Sequence, residues 1–401
     1  MRFTSFAFLL LAGPWACSPG ASDSRVLGHF EDSDAATLEP FRSGQIAVPE
    51  YHPSAAVLVS SQMLVEHHQE RMMQALLGSG IDSLWITVPH GYTADEEQED
   101  FQDLYDLLQK DSAKLKLLEQ PKPGRQREWS RDYGPWIAKA ADGSRRLLEF
   151  NYYPSRASDD SVPAALAKGL NVPRLSLPIY IEGGNFMNND SGACLMTDKV
   201  LEVNAEERVD GDLILSRDEI IAYFKDFAGC KDVMIFPSMP YEGTRHLDLW
   251  AKFVDDQTIL VAQIEDEVMN LPGYRKDDLV RVREVRDFLD SRAAELKEQG
   301  FKIIRLPMPA PNFAEDGYNL FRSYTNSLLL NGHVFLPRYV RPANEADSVK
   351  GGYIDLPLIK KYEERVERLH RDLGFTVHWI TSDSMIAKGG AVHCTTMQIA
   401  L

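Results

Sequence analysis

The sequence predicts an α/β fold in which one unit of helix, strand and hairpin recurs about five times. Amphipathic helical stretches end near Gly or Pro, and a short β-branched or apolar run follows each. Hairpin signals fall between successive helix–strand pairs. No internal linker divides residues 50–401, so one domain holds all the units. Such recurrence suggests radial or tandem repetition around one centre. An ordinary α/β sandwich, whose elements also alternate, fits the same pattern.

In chain order, the helix–strand pairs are Gln62–Gly80 into Ile81–Val88, Val162–Leu170 into Val172–Ile179, and Ser216–Gly229 into Lys231–Phe236. Asp277–Gly300 into Phe301–Leu306 and Leu358–Gly374 into Phe375–Ile380 follow. Ser216 and Glu219 are spaced as a capping box, which fixes where the third helix starts. Hairpins are predicted for Pro135–Lys139 with Arg146–Phe150, Phe186–Asn188 with Ala193–Met196, and Leu249–Phe253 with Thr258–Gln263. Asn331-Gly332, between Ser327–Leu330 and His333–Leu336, is the strongest two-residue turn signal in the chain. His67 and His68 on the first helix read as solvated, and the Asn188-Asn189-Asp190 run as a polar turn rather than a calcium site.

The chain has 401 residues, 44% apolar and 26% charged, as expected of a globular protein with a sizeable core. A formal net charge of −17 argues against a nucleic-acid partner, which needs a basic face. Residues 1–17 read as an export signal. Arg2 supplies a short positive region, Phe3–Ala12 an apolar run too short to span a membrane, and Cys17 a candidate for lipid anchoring. Ordinary cleavage nearby stays open. Residues 18–49 are small, polar and acidic and read as a linker to a catalytic domain at 50–401. Beyond Cys17, three cysteines leave at least one free thiol. Cys194 and Cys230 are free to pair or not on this reading. No CxxC or Cys/His ligand spacing occurs, so no cysteine zinc site is expected.

Four islands carry chemistry: Trp129–Pro135, Ile181–Asn185, Arg245–Asp248, and Gly389-Gly390 leading to His393-Cys394. Cys394 offers a nucleophile and His246 a proton donor and acceptor. An alternating strand would turn His246 and Asp248 to one face. Asp132, Glu182 and Asp248 are carboxylates, which raise a nearby thiol's pKa and so oppose thiolate formation. A permanently cationic substrate reverses that objection. A guanidinium suits paired carboxylates because it presents its donors in a fixed fork.

These islands, in this order, resemble the agmatine deiminase and bacterial secreted peptidylarginine deiminase family of the pentein superfamily, over roughly residues 55–401. The resemblance implies a five-bladed α/β propeller and a metal-free deiminase without a cofactor. It implies Cys394 as nucleophile, His246 as general acid/base, Asp132 and Asp248 as the guanidinium clamp, Glu182 as support for the histidine, and Asn326 as an active-site asparagine. Trp129, Arg156, Tyr153 and Asn185 are the expected substrate-binding residues. Phe150–Arg156 resembles the peptidylarginine branch, in which arginines bind the carboxylate of a C-terminal arginine; Arg156 matches, while Tyr153 stands where a second arginine is expected. The leading expectation is an exported peptidylarginine deiminase acting on peptides or proteins, with possible membrane tethering through Cys17. An agmatine or other small-guanidine deiminase, an amidinotransferase, and an inactive surface binding lipoprotein are the alternatives.

Overall fold

The computed structural model describes residues 46–271, 276–313, 319–340 and 355–400. The expected export signal, Cys17, and the linker up to residue 45 lie outside the described residues. The last linker residues do not behave as expected. Ile46–Ala47 is an edge strand paired antiparallel with Trp136–Lys139, and Val48 N donates to Ile137 O at 2.7 Å. Three successive apolar residues bury better in a sheet edge than in a linker, so the ordered domain begins by residue 46.

Five sheets share one plan. An antiparallel pair of strands is followed, across a helix, by a strand parallel to its second member. Trp136–Lys139 pairs with Arg145–Asn151, which runs parallel to Arg174–Tyr180. Met187–Asn188 pairs with Ala193–Thr197, parallel to Asp232–Phe236. Ala251–Phe253 pairs with Thr258–Gln263, parallel to Lys302–Pro307. Leu328–Leu330 pairs with His333–Arg338, parallel to Thr376–Thr381. The remaining sheet joins the two ends of the domain. Met397–Ile399 pairs antiparallel with Ala56–Ser60, which runs parallel to Ser83–Val88 and on to Leu115–Glu119. Its first strand therefore comes from the C-terminus.

Local chemistry sets the element ends. Ser216 and Glu219 form the expected reciprocal capping box, and Gly229 ends that helix at φ +72°. Asn331 and Gly332 both take positive φ, the backbone that a two-residue turn demands. Two elements depart from expectation. The first helix is broken into Gln62–Val65 and Glu70–Gly78; His68 takes positive φ at the break, and Gln69 Nε2 donates to His67 O and Thr381 O there. An additional helix, Ala94–Leu108, is capped reciprocally by Thr93 and Glu96 and leads into the strand Leu115–Glu119. Its dense charge obscures the apolar face formed by Phe101, Leu104 and Leu108.

Cys194 and Cys230 form a disulfide between the parallel strand pair of one sheet and its preceding helix end. Cys394 is the free cysteine among the described residues. Asn188, Asn189 and Asp190 are spent on Ala47 O, Asp256 O and His52, as a structural turn would be.

Candidate active site

The candidate residues occupy equivalent places in the five sheets. Each lies on the segment entering the first strand of an antiparallel pair. Asp132 stands in a short helix before Trp136, and Glu182 before Met187. Asp248 precedes Ala251, Asn326 precedes Leu328, and Cys394 precedes Met397. The repeat therefore brings residues 132 to 394 together.

Cys394 is buried. Asn326 Nδ2 donates to its Sγ at 3.1 Å, and Asp248 Oδ2 lies 3.6 Å from the sulfur. Asn326 also fixes the cysteine loop, since its Oδ1 accepts from Ala391 N at 3.1 Å. Burial, together with Asp248 and Asp132, pushes the thiol pKa well up. The sequence-level objection to a thiolate among carboxylates thus holds for the free protein.

His246 is buried with Nε2 2.9 Å from Glu182 Oε2 and 3.4 Å from Lys199 Nζ. Burial opposes its charged form, but Glu182, aided by Asp132, outweighs burial and raises its pKa. Glu182 also pairs with Lys199. Burial would raise the Glu182 carboxyl; His246 and Lys199 prevail and hold it low. His246 and Asp248 do converge, but not by strand alternation. His246 is the residue before a single 3-10 turn, Leu247–Leu249, that carries Asp248. Both point at Gly184, where an added Cβ would meet His246 Nδ1 at 2.7 Å and Asp248 Oδ2 at 3.0 Å. That approach is the reason for glycine here.

Among the candidate site residues, three buried polar atoms have no hydrogen-bond partner: Asp132 Oδ1, Asp248 Oδ1 and His246 Nδ1. Unpaired buried acceptors are costly. Asp132 Oδ2 accepts weakly from Tyr152 OH at 3.3 Å, and burial pushes its pKa up to about 7. Asp248 is fully buried, yet its pKa is lowered; burial acts upward and His393, 2.7 Å from Oδ2, outweighs it.

The expected substrate-binding residues divide. Arg156 bonds Tyr152 OH and lies over the Tyr152 and Tyr153 rings at 5.4 and 5.6 Å. Tyr153 is also faced by Lys199 at 5.9 Å and Arg208 at 5.6 Å. Tyr152, Tyr153, Tyr180 and Glu182 line one cavity, so this cationic rim adjoins the histidine pair. Trp129 is partly exposed and packs on Gly390, where an added Cβ would sit 2.5 Å from its ring. Asn185 is different. Its Oδ1 accepts from Thr197 N at 2.9 Å, which pins the Glu182 loop to the neighbouring strand.

Sequence reasoning missed a second layer. Arg131 is buried, receives its place from His393 O and Gln398 Oε1, and donates its backbone N–H to Cys394 O at 3.1 Å. His393 joins Asp248 to Glu50, and Glu50 binds Lys252 at 2.8 Å. A fully buried lysine between Ala251 and Phe253 is itself a sequence signal, because a charge in an apolar strand needs a partner.

Comparison with known proteins identifies the family and the fold. Residues 94–400 match the Porphyromonas-type peptidyl-arginine deiminase family. A Shewanella sp. (strain MR-4) protein named "Putative agmatine deiminase" is 23% identical over 299 residues, covering 68% of this chain and 73% of its own. A Photobacterium profundum protein of the same name is 25% identical over 301 residues, covering 68% and 74%. Among solved structures, C. jejuni agmatine deiminase superposes with a TM-score of 0.65 at 19% identity, over 90% of this chain and 98% of its own. Agmatine deiminase of Enterococcus faecalis gives 0.65 at 19% identity, over 89% and 96%. These structural likenesses show a shared α/β fold. With the match spanning most of the domain, the chain belongs to the Porphyromonas-type peptidyl-arginine deiminase family, among the agmatine and peptidylarginine deiminases that hydrolyse carbon–nitrogen bonds of amidines.

Proposed function

We propose that this protein hydrolyses the guanidinium group of an arginine-derived substrate to a ureido group and ammonia, with Cys394 as nucleophile. One observation carries the reading: Asp132 and Asp248 hold unpartnered buried oxygens beside a buried free thiol. A guanidinium supplies the N–H donors that those oxygens lack, and its charge favours the thiolate that the carboxylates otherwise suppress. As the cation binds, the thiol loses its proton to water, and the sulfur then bonds to the guanidinium carbon. His246, charged through its pair with Glu182, gives a proton to one amino group, and ammonia leaves with the C–N bond electrons. The neutral imidazole takes a proton from water, whose oxygen bonds to the same carbon. The C–S bond breaks, releasing the ureido product and restoring the thiol. Asn326 holds the sulfur in line. We further infer that the five sheets stand around this site as blades of a propeller, a reading supported by their common strand plan and the equivalent positions of the site residues.

Two substrate readings have support. The names of the relatives favour agmatine over peptidylarginine. The rim favours the second reading, a C-terminal arginine of a peptide. Arg156, Lys199 and Arg208 around Tyr153 suit a carboxylate and repel the ammonium of agmatine. The deciding experiment measures ammonia and ureido product from agmatine, a peptide ending in arginine, and a peptide with internal arginine, in wild type, Cys394→Ala and Arg208→Ala. Turnover lost in Cys394→Ala supports the chemistry, and turnover retained there refutes it. Arg208→Ala lowers kcat/KM for the C-terminal substrate about tenfold if the rim binds a carboxylate, as expected for one lost ionic contact. It raises kcat/KM for agmatine if agmatine is the substrate. Export, with tethering through Cys17, is part of the same proposal. The Cys194–Cys230 disulfide supports it, since such bonds persist in oxidising compartments.

A further inference from the structure

Glu66, His67 and Glu128 bring one ligand atom each within 4.8 Å of one another. His67 was expected to be solvated; instead its side chain is 1% exposed. Its Nδ1 lies 2.9 Å from Ser384 Oγ, which fixes the ring. Its Nε2 has no hydrogen-bond partner and faces Glu128 Oε1 at 3.8 Å, too far for a hydrogen bond. Glu128 is itself only 6% exposed. Lys388 closes the cluster with its ammonium, bonded to Glu66 and 3.3 Å from Glu128 Oε1. Arg127 adds a nearby positive charge. The ammonium bonds Glu66 and forms an ion pair with Glu128, and it leaves the imidazole Nε2 without a partner.

We propose that Glu66, His67 and Glu128 form a binding site for a divalent transition cation of the zinc type, completed by water and gated by Lys388. The donor set is one imidazole nitrogen and two carboxylate oxygens, a combination zinc takes with an open fourth position. Tetrahedral ligands at 2.0–2.1 Å stand roughly 3.4 Å apart, so side-chain shifts of about an ångström bring ligand atoms that now lie within 4.8 Å of one another to that spacing. Ser384 orients the ring from behind, as partners of metal-bound histidines do. Lys388 is 38% exposed and free to swing into water. The location gives the site a consequence. Glu128 precedes Trp129 on the segment that carries Asp132, and Lys388 precedes the glycines that carry Cys394. Trp129 and Gly390 already touch. A cation here ties the segment that carries Asp132 to the break in the first helix, where His67 rests on Ser384 ahead of the Cys394 loop. This inference does not rest on the proposed reaction.

Calorimetric titration of the full chain with zinc chloride tests it. The parallel variants are Cys394→Ala, His67→Gln and Lys388→Met. One zinc per chain is expected, retained in Cys394→Ala, weakened at least a hundredfold in His67→Gln, and tightened about tenfold in Lys388→Met, where the competing ammonium is gone. Should His67→Gln fail to fold, the surface change Lys388→Met still decides. Unchanged or weaker binding in Lys388→Met overturns the proposal. So does binding that disappears in Cys394→Ala, which would place the metal on the thiol, or no binding to wild type and Lys388→Met.

Discussion

His393 Nδ1 lies 2.7 Å from Asp248 Oδ2, in the residue immediately before the candidate nucleophile. The opposite nitrogen of the same ring lies 2.8 Å from Glu50 Oε2. One imidazole thereby spans a fully buried carboxylate and a partly buried one, and Lys252 neutralises the outer one. Asp248 is left with one oxygen, Oδ1, unpartnered. We regard His393 as a positioning residue. His393→Ala should lower kcat by roughly 100-fold, the scale for a misplaced clamp, and raise KM because Asp248 is no longer oriented. His393→Asn, which keeps a donor near the Nδ1 position, should recover part of the loss. Steady-state kinetics on the three proteins check this. Equal losses in Ala and Asn variants with unchanged KM would remove the role.

Asp132 gives a pH-dependent prediction. Burial pushes its pKa up to about 7, while a guanidinium binds the ionised form. Binding should therefore release a proton near neutrality, and KM should rise as pH falls below about 7. The same shift has a stability consequence of opposite sense. The folded state holds this proton more tightly than the unfolded chain does, so stability falls as pH rises from the ordinary carboxyl range through about 7. Asp132→Asn should abolish turnover and stabilise the fold at pH 8 by on the order of 2 kcal/mol, with little gain at pH 4. Thermal unfolding at both pH values checks the sign.

Much of this was legible in the sequence, for identifiable reasons. The Asn331-Gly332 turn and the Ser216 capping box are local chemistry and need no tertiary information. The islands around Asp132, Glu182, Asp248 and Cys394 were visible because each sits at a turn before a short strand. Long-range pairing was not legible. Nothing local marks Met397–Ile399 as the partner of Ala56–Ser60, nor Glu50 as the partner of a histidine 343 positions away. His67 misled because two adjacent histidines amid polar residues read as surface, whereas the helix breaks there and turns one of them inward. The backbone role of Asn185 was not legible, because a residue in a chemical motif can also hold a turn.

The Cys194–Cys230 disulfide closes a loop of 36 residues and lies away from the thiol chemistry. In the chain-entropy account, such a loop contributes roughly 4 kcal/mol by restricting the unfolded chain. Replacing both cysteines by alanine should lower Tm by several degrees, yet kcat at 25 °C should stay within about twofold, because neither sulfur touches a site residue. Calorimetry with parallel kinetics checks this, and a large loss of kcat at full folding would contradict it.

Lys199 and Glu182 act on His246 with opposite sign. Glu182 raises its pKa, and the Lys199 ammonium, 3.4 Å from Nε2, lowers it. If the imidazolium protonates the leaving amino group, activity falls as pH rises through the His246 pKa. Lys199→Met removes the repulsion, so the basic limb of kcat/KM should move to higher pH. Glu182→Gln removes the attraction, so the same limb should move to lower pH, with kcat reduced roughly 10–100-fold. The pair is informative because a purely structural role for this cluster predicts loss in both variants without opposed shifts. Titration of the His246 ring by NMR, compared with the two rate profiles, separates these cases: opposed movement of ring and rate together assigns the proton transfer to His246, and an unmoved basic limb in either variant takes that role from it.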